Sequence, residues 1–202
     1  MRILIASLVG FLALPVSAAA PIPVAANEGP MALIAAAPAA KGTYAIDVPT
    51  SITAKLTAYN AVAGQTDSTP FTTSVGAFSN PEVIAARSSD LARTLPYGTV
   101  IKVERTAADT PNCNFTKVEH QIGYRVIADA MNPRIVNTVD LLLDQHQKVP
   151  YQGRMINPAI AVGKCDQVKV TVVGRIPVTA IPATQAELAA MIEGEAKEIA
   201  LR

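Results

Sequence analysis

In the stretch YRVIADAMNPRIVNTVDLLL, residues 124–143, Asp129 and Asp140 sit at the ends of two runs that otherwise read as buried β-strands. Asp is a common turn and cap residue, and spacing alone favours that role over catalysis. The polar segment between the runs, with Asn132, Pro133 and Asn137, reads as the connection that returns the second strand beside the first. Both carboxylates then face one cleft. Two carboxylates in a partly buried site push their pKa values apart, leaving one protonated near neutral pH as a general acid.

A second polar island is AYNAVAGQTDSTPFTTSVGAF, with Tyr59, Gln65, Thr66, Asp67, Ser68, Thr69, Thr72 and Thr73. Hydroxyls and amides at this density offer donors and acceptors without a charge penalty, which suits sugar binding. They also make the Asx and Ser/Thr turns that stitch a long loop, and the residues by themselves favour that structural role. Other chemistries lack residues. His120 and His146 form no metal spacing with each other or with the two cysteines. No phosphate-binding or dinucleotide glycine motif and no nucleophile elbow is present, so no cofactor or metal is expected. His120, in a strand-like run, reads as a structural or surface residue.

The elements that must position these residues read as all-β. From residue 51 onward, short β-branched segments are separated by Gly, Pro, Asn and Ser. Strands are expected at residues 52–59, 82–87, 99–104, 115–128, 138–143 and 167–176. Six strands without long helices between them argue a barrel or sandwich. The end of the chain changes period: Thr184 and Glu187 fit a capping box, and Leu188, Ile192, Ala196 and Ile199 share a helical face. Gly194 weakens that helix, which is expected to pack on the barrel.

The 202 residues, half of them hydrophobic, suffice for one domain with a core. Seventeen Lys and Arg against sixteen Asp and Glu, with no basic cluster, argue against a nucleic acid or anionic membrane as partner. Residues 1–18 read as a signal peptide cleaved after Ala18, with an uncleaved anchor as the alternative. Residues 19–50 read as an Ala/Pro-rich extended linker, 51–177 as the barrel domain and 178–202 as a helical tail. Export allows Cys113 and Cys165 to pair, the alternative being two separate buried thiols. A monomer in the periplasm or outside the cell, not inserted in the membrane after cleavage, is expected.

Four blocks carry a resemblance: LTAYN…GQTDSTPFTTSVGAF, EVIAARSSDLARTLPYGTVIKV, YRVIADAMNPRIVNTVDLLL and IAVGKCDQVKVTVV. In this order, over roughly residues 53–174, they resemble the bacterial 3D (Asp-Asp-Asp) domain. The resemblance implies a six-stranded double-psi β-barrel, as in membrane-bound lytic transglycosylase A and the small lytic transglycosylases of the stationary-phase-survival type. Such enzymes cleave peptidoglycan between N-acetylmuramic acid and N-acetylglucosamine without water, leaving 1,6-anhydromuramoyl ends.

Carried over on that resemblance, the second and third aspartates are Asp129 and Asp140. Asp140 would protonate the glycosidic oxygen and then accept the C6 hydroxyl proton, while Asp129 would orient the sugar or stabilise the oxocarbenium-like charge. Sugar contacts would come from Tyr59, Gln65, Thr66, Asp67, Thr69, Asn132 and Asn137. Where the first aspartate belongs, this chain has Arg87, with Asp90 three residues on as a spatial substitute. A guanidinium within ~4–6 Å of Asp140 would favour its ionised form. A lytic site therefore requires Arg87 to point away or to be held by an acid such as Asp90. The rival reading is a peptidoglycan- or polysaccharide-binding barrel with a degenerate site; a third is an exported protein that uses only the fold.

Overall fold

The computed structural model describes residues 50–66 and 68–200, and side chains up to residue 194. The leader and nearly all of the Ala/Pro-rich linker, the side chains of Ala196 and Ile199, and Asp67 lie outside the described residues. The chain runs through β1 (Ser51–Tyr59), β2 (Ile84–Arg87), β3 (Thr99–Arg105), α1 (Phe115–Ile122), β4 (Tyr124–Ala130) and β5 (Thr138–Leu142). It continues through β6 (Val149–Tyr151), β7 (Arg154–Ile156), α2 (Pro158–Val162), β8 (Cys165–Arg175) and α3 (Gln185–Ala200). Six of these strands close a barrel in the order β1-β5-β2-β4-β3-β8, and β6 and β7 form a separate hairpin.

Side-chain alternation divides the barrel strands between two apolar layers. Ala54, Leu56, Ala85, Ile101, Ile127, Val139, Leu141, Val168 and Val170 come from all six strands and fill the interior. Phe115, Val118 and Ile122 of α1 and Ala161 and Val162 of α2 pack against this core. The alternate positions Ile84, Ala86, Val100, Val126, Ala128 and Leu142 form an outer layer that Leu188 and Ile192 of α3 cover. Strands buried on both faces explain the near-continuous apolar runs in the sequence.

The expected strand at 115–128 is corrected. Phe115, Val118 and Ile122 recur at helical spacing and bury one face of α1. Gly123, at φ 53°, then turns the chain into β4. His120 accordingly lies on a helix. Arg125, fully buried, joins this junction to the barrel. Its Nε donates to the Ile122 carbonyl at 2.6 Å, and its Nη1 to those of Pro81 at 2.6 Å and Leu142 at 2.9 Å. Burial pushes its pKa down to about 10.

The barrel contains two parallel pairs, β1 with β5 and β2 with β4; its other pairs are antiparallel. Exchanging β1, β2 and β3 for β4, β5 and β8 returns the same neighbours and the same relative directions. The barrel is thus two three-stranded halves related by a topological twofold through the β2–β5 pair. Cys113, ahead of α1, is disulfide-bonded to Cys165 at the start of β8, with a Cα–Cα distance of 4.6 Å. Among the described residues no helix is long and apolar enough to cross a membrane.

Candidate active site

Register sets the site. In β2, Ala86 lies opposite Asp140 of β5 on one side and Asp129 of β4 on the other, and Thr57 of β1 lies opposite Asp140. Residues opposite one another in a sheet share a face. Thr57, Asp140, Ala86 and Asp129 therefore form a row across four neighbouring strands on the outer face. Two inter-strand steps separate the backbones of the aspartates by about 10 Å. Only the methyl group of Ala86 stands between them.

Their surroundings differ. Asp140 receives one hydrogen bond on Oδ1, from the Thr57 hydroxyl at 2.6 Å. Burial raises its pKa, the Thr57 bond opposes the rise, and the charge of Asp129 adds to it, so the carboxyl is pushed up to about 6. Asp129 takes three donors. Oδ2 accepts from the Tyr59 hydroxyl at 2.9 Å, and Oδ1 from the backbone N–H of Ser74 and of Ala130, each at 2.9 Å. Burial and the charge of Asp129 push the Tyr59 hydroxyl well above its ordinary range, so it keeps its proton and remains a donor.

A cleft of about 600 Å³ opens over this row. Ala86, Asp129 and Asp140 line it together with Tyr59, Gln65, Thr66, Ser74, Met131, Asn132 and Ile135. Of the sugar contacts expected from the sequence, Tyr59, Gln65, Thr66 and Asn132 are brought together here. Gln65 and Asn132 also hold their loops: Gln65 Oε1 accepts from the Asn60 N–H at 2.7 Å and Asn132 Oδ1 from the Arg134 N–H at 3.0 Å. Thr69 and Asn137 are not among the lining residues. Asn137 instead takes a left-handed conformation, φ 49°, at the entry to β5.

Asp90 serves that same turn, accepting from the Asn137 N–H at 3.0 Å. Hydrogen bonding from Ser88 holds its carboxyl below the usual range; burial opposes this, and backbone donors including Asn137 add to it. Asp90 does not line the cleft. Arg87 is one residue beyond Ala86, so strand alternation sends its side chain to the opposite face. Its guanidinium lies 4.6 Å from the centre of the Tyr97 ring, whose hydroxyl is 3.5 Å from that of cleft-lining Ser74, and Nη1 donates to the Ser88 carbonyl at 3.3 Å. Among the described residues its buried Nε has no hydrogen-bond partner.

Three further residues of the site escaped the sequence reading: Thr57, Ser74 and Ala86. Thr57, two positions before Tyr59 on the same strand face, was within reach of the period-two rule. Ser74 was not, because its N–H reaches Asp129 through the folding of a long loop. Among the described residues, no three His, Cys, Asp or Glu side chains are grouped to hold a metal. No model of a known protein family matches the chain, and no curated protein matches it.

Proposed function

We propose that this chain is a peptidoglycan lytic transglycosylase of the cell envelope, built on a double-psi β-barrel. The observation that carries the reading is Asp140: a carboxyl pushed up to about 6, on the floor of an open cleft and one small residue away from a second carboxylate. The two parallel strand pairs related by a topological twofold support the double-psi assignment. The Cys113–Cys165 disulfide suits an oxidising compartment.

The chemistry is one residue acting twice. Protonated Asp140 gives its proton to the glycosidic oxygen as the C1–O bond of muramic acid breaks, and the N-acetylglucosamine alcohol leaves. Asp129, held by Tyr59 and two backbone donors, stabilises the oxocarbenium-like charge. Asp140, now a carboxylate, takes the proton of the C6 hydroxyl as that oxygen bonds to C1. The anhydro ring closes, Asp140 regains its proton and no water is consumed.

A second reading is favoured by one observation: Asp129 and Asp140 are the only carboxylates among the described lining residues, and on the 3D-domain resemblance Arg87 stands where the first aspartate would be. A cleft with that deficit would bind glycan without cleaving it. Digestion of purified peptidoglycan between pH 4 and 8, with mass analysis for 1,6-anhydromuropeptides, separates the two. Anhydro products support the enzyme. Their absence at every pH, with pelleting on peptidoglycan retained, supports the binding module.

A further inference from the structure

Beside the cleft lies a second groove of about 340 Å³ that shares Met131 and Ile135 with it. Thr57, the hydrogen-bond donor to Asp140, lines this groove. The two spaces therefore adjoin at Met131 and Ile135, and the second is lined by the residue that touches the acid. Lys55, Arg134 and Lys164 surround the groove, with Asp166 as its single lining acid. Those three cations come from β1, the β4–β5 connection and the residue before β8, so barrel closure alone brings them together. Lys55 precedes Thr57 by two residues on the same strand face, about 7 Å along the strand.

The charge is locally concentrated. The chain as a whole is at +1, yet this one concavity holds three cations against one acid. Among the described residues the ion pairs are Lys102–Glu104 and Lys169–Glu104, so none of the three groove cations is in one. Unpaired cations converging on a concave surface attract an anion, and the planar donors of Arg134 match a carboxylate in particular.

We infer that this groove binds the carboxylate-bearing substituent of the sugar held over Asp140. The inference rests on the glycan reading of the cleft. Muramic acid differs from glucosamine in its lactyl ether, which ends in a free carboxylate or continues into a peptide that carries carboxylates. A groove adjoining the acid's hydrogen-bond donor would thus select which sugar lies over Asp140.

Equilibrium binding tests it, measured in the full chain carrying Asp140→Asn so that turnover cannot consume the ligand. Three probes are compared: chitooligosaccharide, which has no carboxylate; glycan strands stripped of peptide, which expose the lactyl carboxylate; and strands that retain their peptides. The expected result is five- to tenfold tighter binding, as an order of magnitude, of one or both carboxylate-bearing strands than of chitooligosaccharide. The bearer that binds tighter identifies the source of the carboxylate. In Lys55→Gln/Lys164→Gln and in Arg134→Gln the ratio falls towards one, and in 0.5 M salt it also shrinks. Lys169→Gln, a charge change outside the groove, leaves the ratio unchanged. Equal affinities, no binding of any probe, or a preference that survives the groove substitutions overturns the inference. Product analysis with the unsubstituted chain tests cleavage separately, so a barrel that binds muramic glycan without cutting it fails that assay and passes this one.

Discussion

Asp140 and Asp129 share a row and a face, yet their neighbours divide the labour between them. Asp129 is surrounded by donors; Asp140 has one, and burial outweighs it. In the proposed role of general acid Asp140 must carry its proton, so on that proposal cleavage should fall with rising pH once about pH 6 is passed. A pH profile of kcat/KM measures this, and Asp140→Asn should give no anhydro product at any pH. Thr57→Val removes the hydrogen bond that opposes the upward shift, so its falling limb should move to higher pH. The same carboxyl also leaves a mark on stability. Held above its ordinary range, it binds its proton more tightly folded than unfolded; that contribution is complete below about pH 4 and is lost as pH rises through about 6. Asp140→Asn should therefore stabilise the fold by about 3 kcal/mol at pH 7 and by only a few tenths at pH 4, read by chemical denaturation at both. A gain equal at both pH values would place the effect in packing rather than ionisation.

Elements became legible in proportion to how local their signal was. Strands of the barrel are buried on both faces, so their apolar runs stand out, and the capping box at Thr184 is seen in the Thr184 Oγ1 contact with the Glu187 N–H at 3.2 Å. The junction at 115–130 was hidden because Phe, Val and Ile suit strands and helices alike in a short run. What decides it is tertiary. Gln185 of α3 reaches the junction, its Oε1 accepting from the Tyr124 N–H at 3.0 Å and its Nε2 donating to the Tyr124 carbonyl at 2.6 Å. Gly123 has the positive φ that this turn needs, and a Cβ there would run into the Gln185 side chain. Gly123→Ala should therefore cost about 2 kcal/mol by strain and loss of the Gln185 bonds together. Gln185→Ala should cost less, since it removes only the bonds. Urea unfolding of the pair checks the order, and a larger loss in Gln185→Ala would contradict it.

At the scale of the molecule, the topological twofold pairs Asp140 with Ala86 and Asp129 with Thr57, so equivalent positions of one frame carry an acid and a methyl, a carboxylate and a hydroxyl. Both carboxylates of the row lie in the second half. No local pattern could reveal that residues 57, 86, 129 and 140 form one row, because barrel closure, a non-local event, creates it. The direction of Arg87 could be read more simply, from strand alternation, once Ala86 was known to face the cleft. The disulfide acts at this same scale. Its span of 52 residues contains α1, β4, β5, the β6–β7 hairpin and α2, and therefore both aspartates. Closing a loop of that size lowers the entropy of the unfolded chain and stabilises by about 4 kcal/mol in the chain-entropy account. Cys165 also pairs in register with Leu56, next to Thr57, so the cross-link anchors the second half beside the strand that supplies the donor to Asp140. Cys113→Ala/Cys165→Ala should lower the melting temperature by on the order of 10 °C. Below that lowered midpoint the row of Thr57, Asp140, Ala86 and Asp129 is still held by its strand ladders, so glycan pelleting should persist at 25 °C. Reductant should reproduce the shift in the unsubstituted chain and leave the alanine variant unmoved. Two titratable thiols in the native chain, or equal melting with and without reductant, would remove the cross-link from the forces that hold the site.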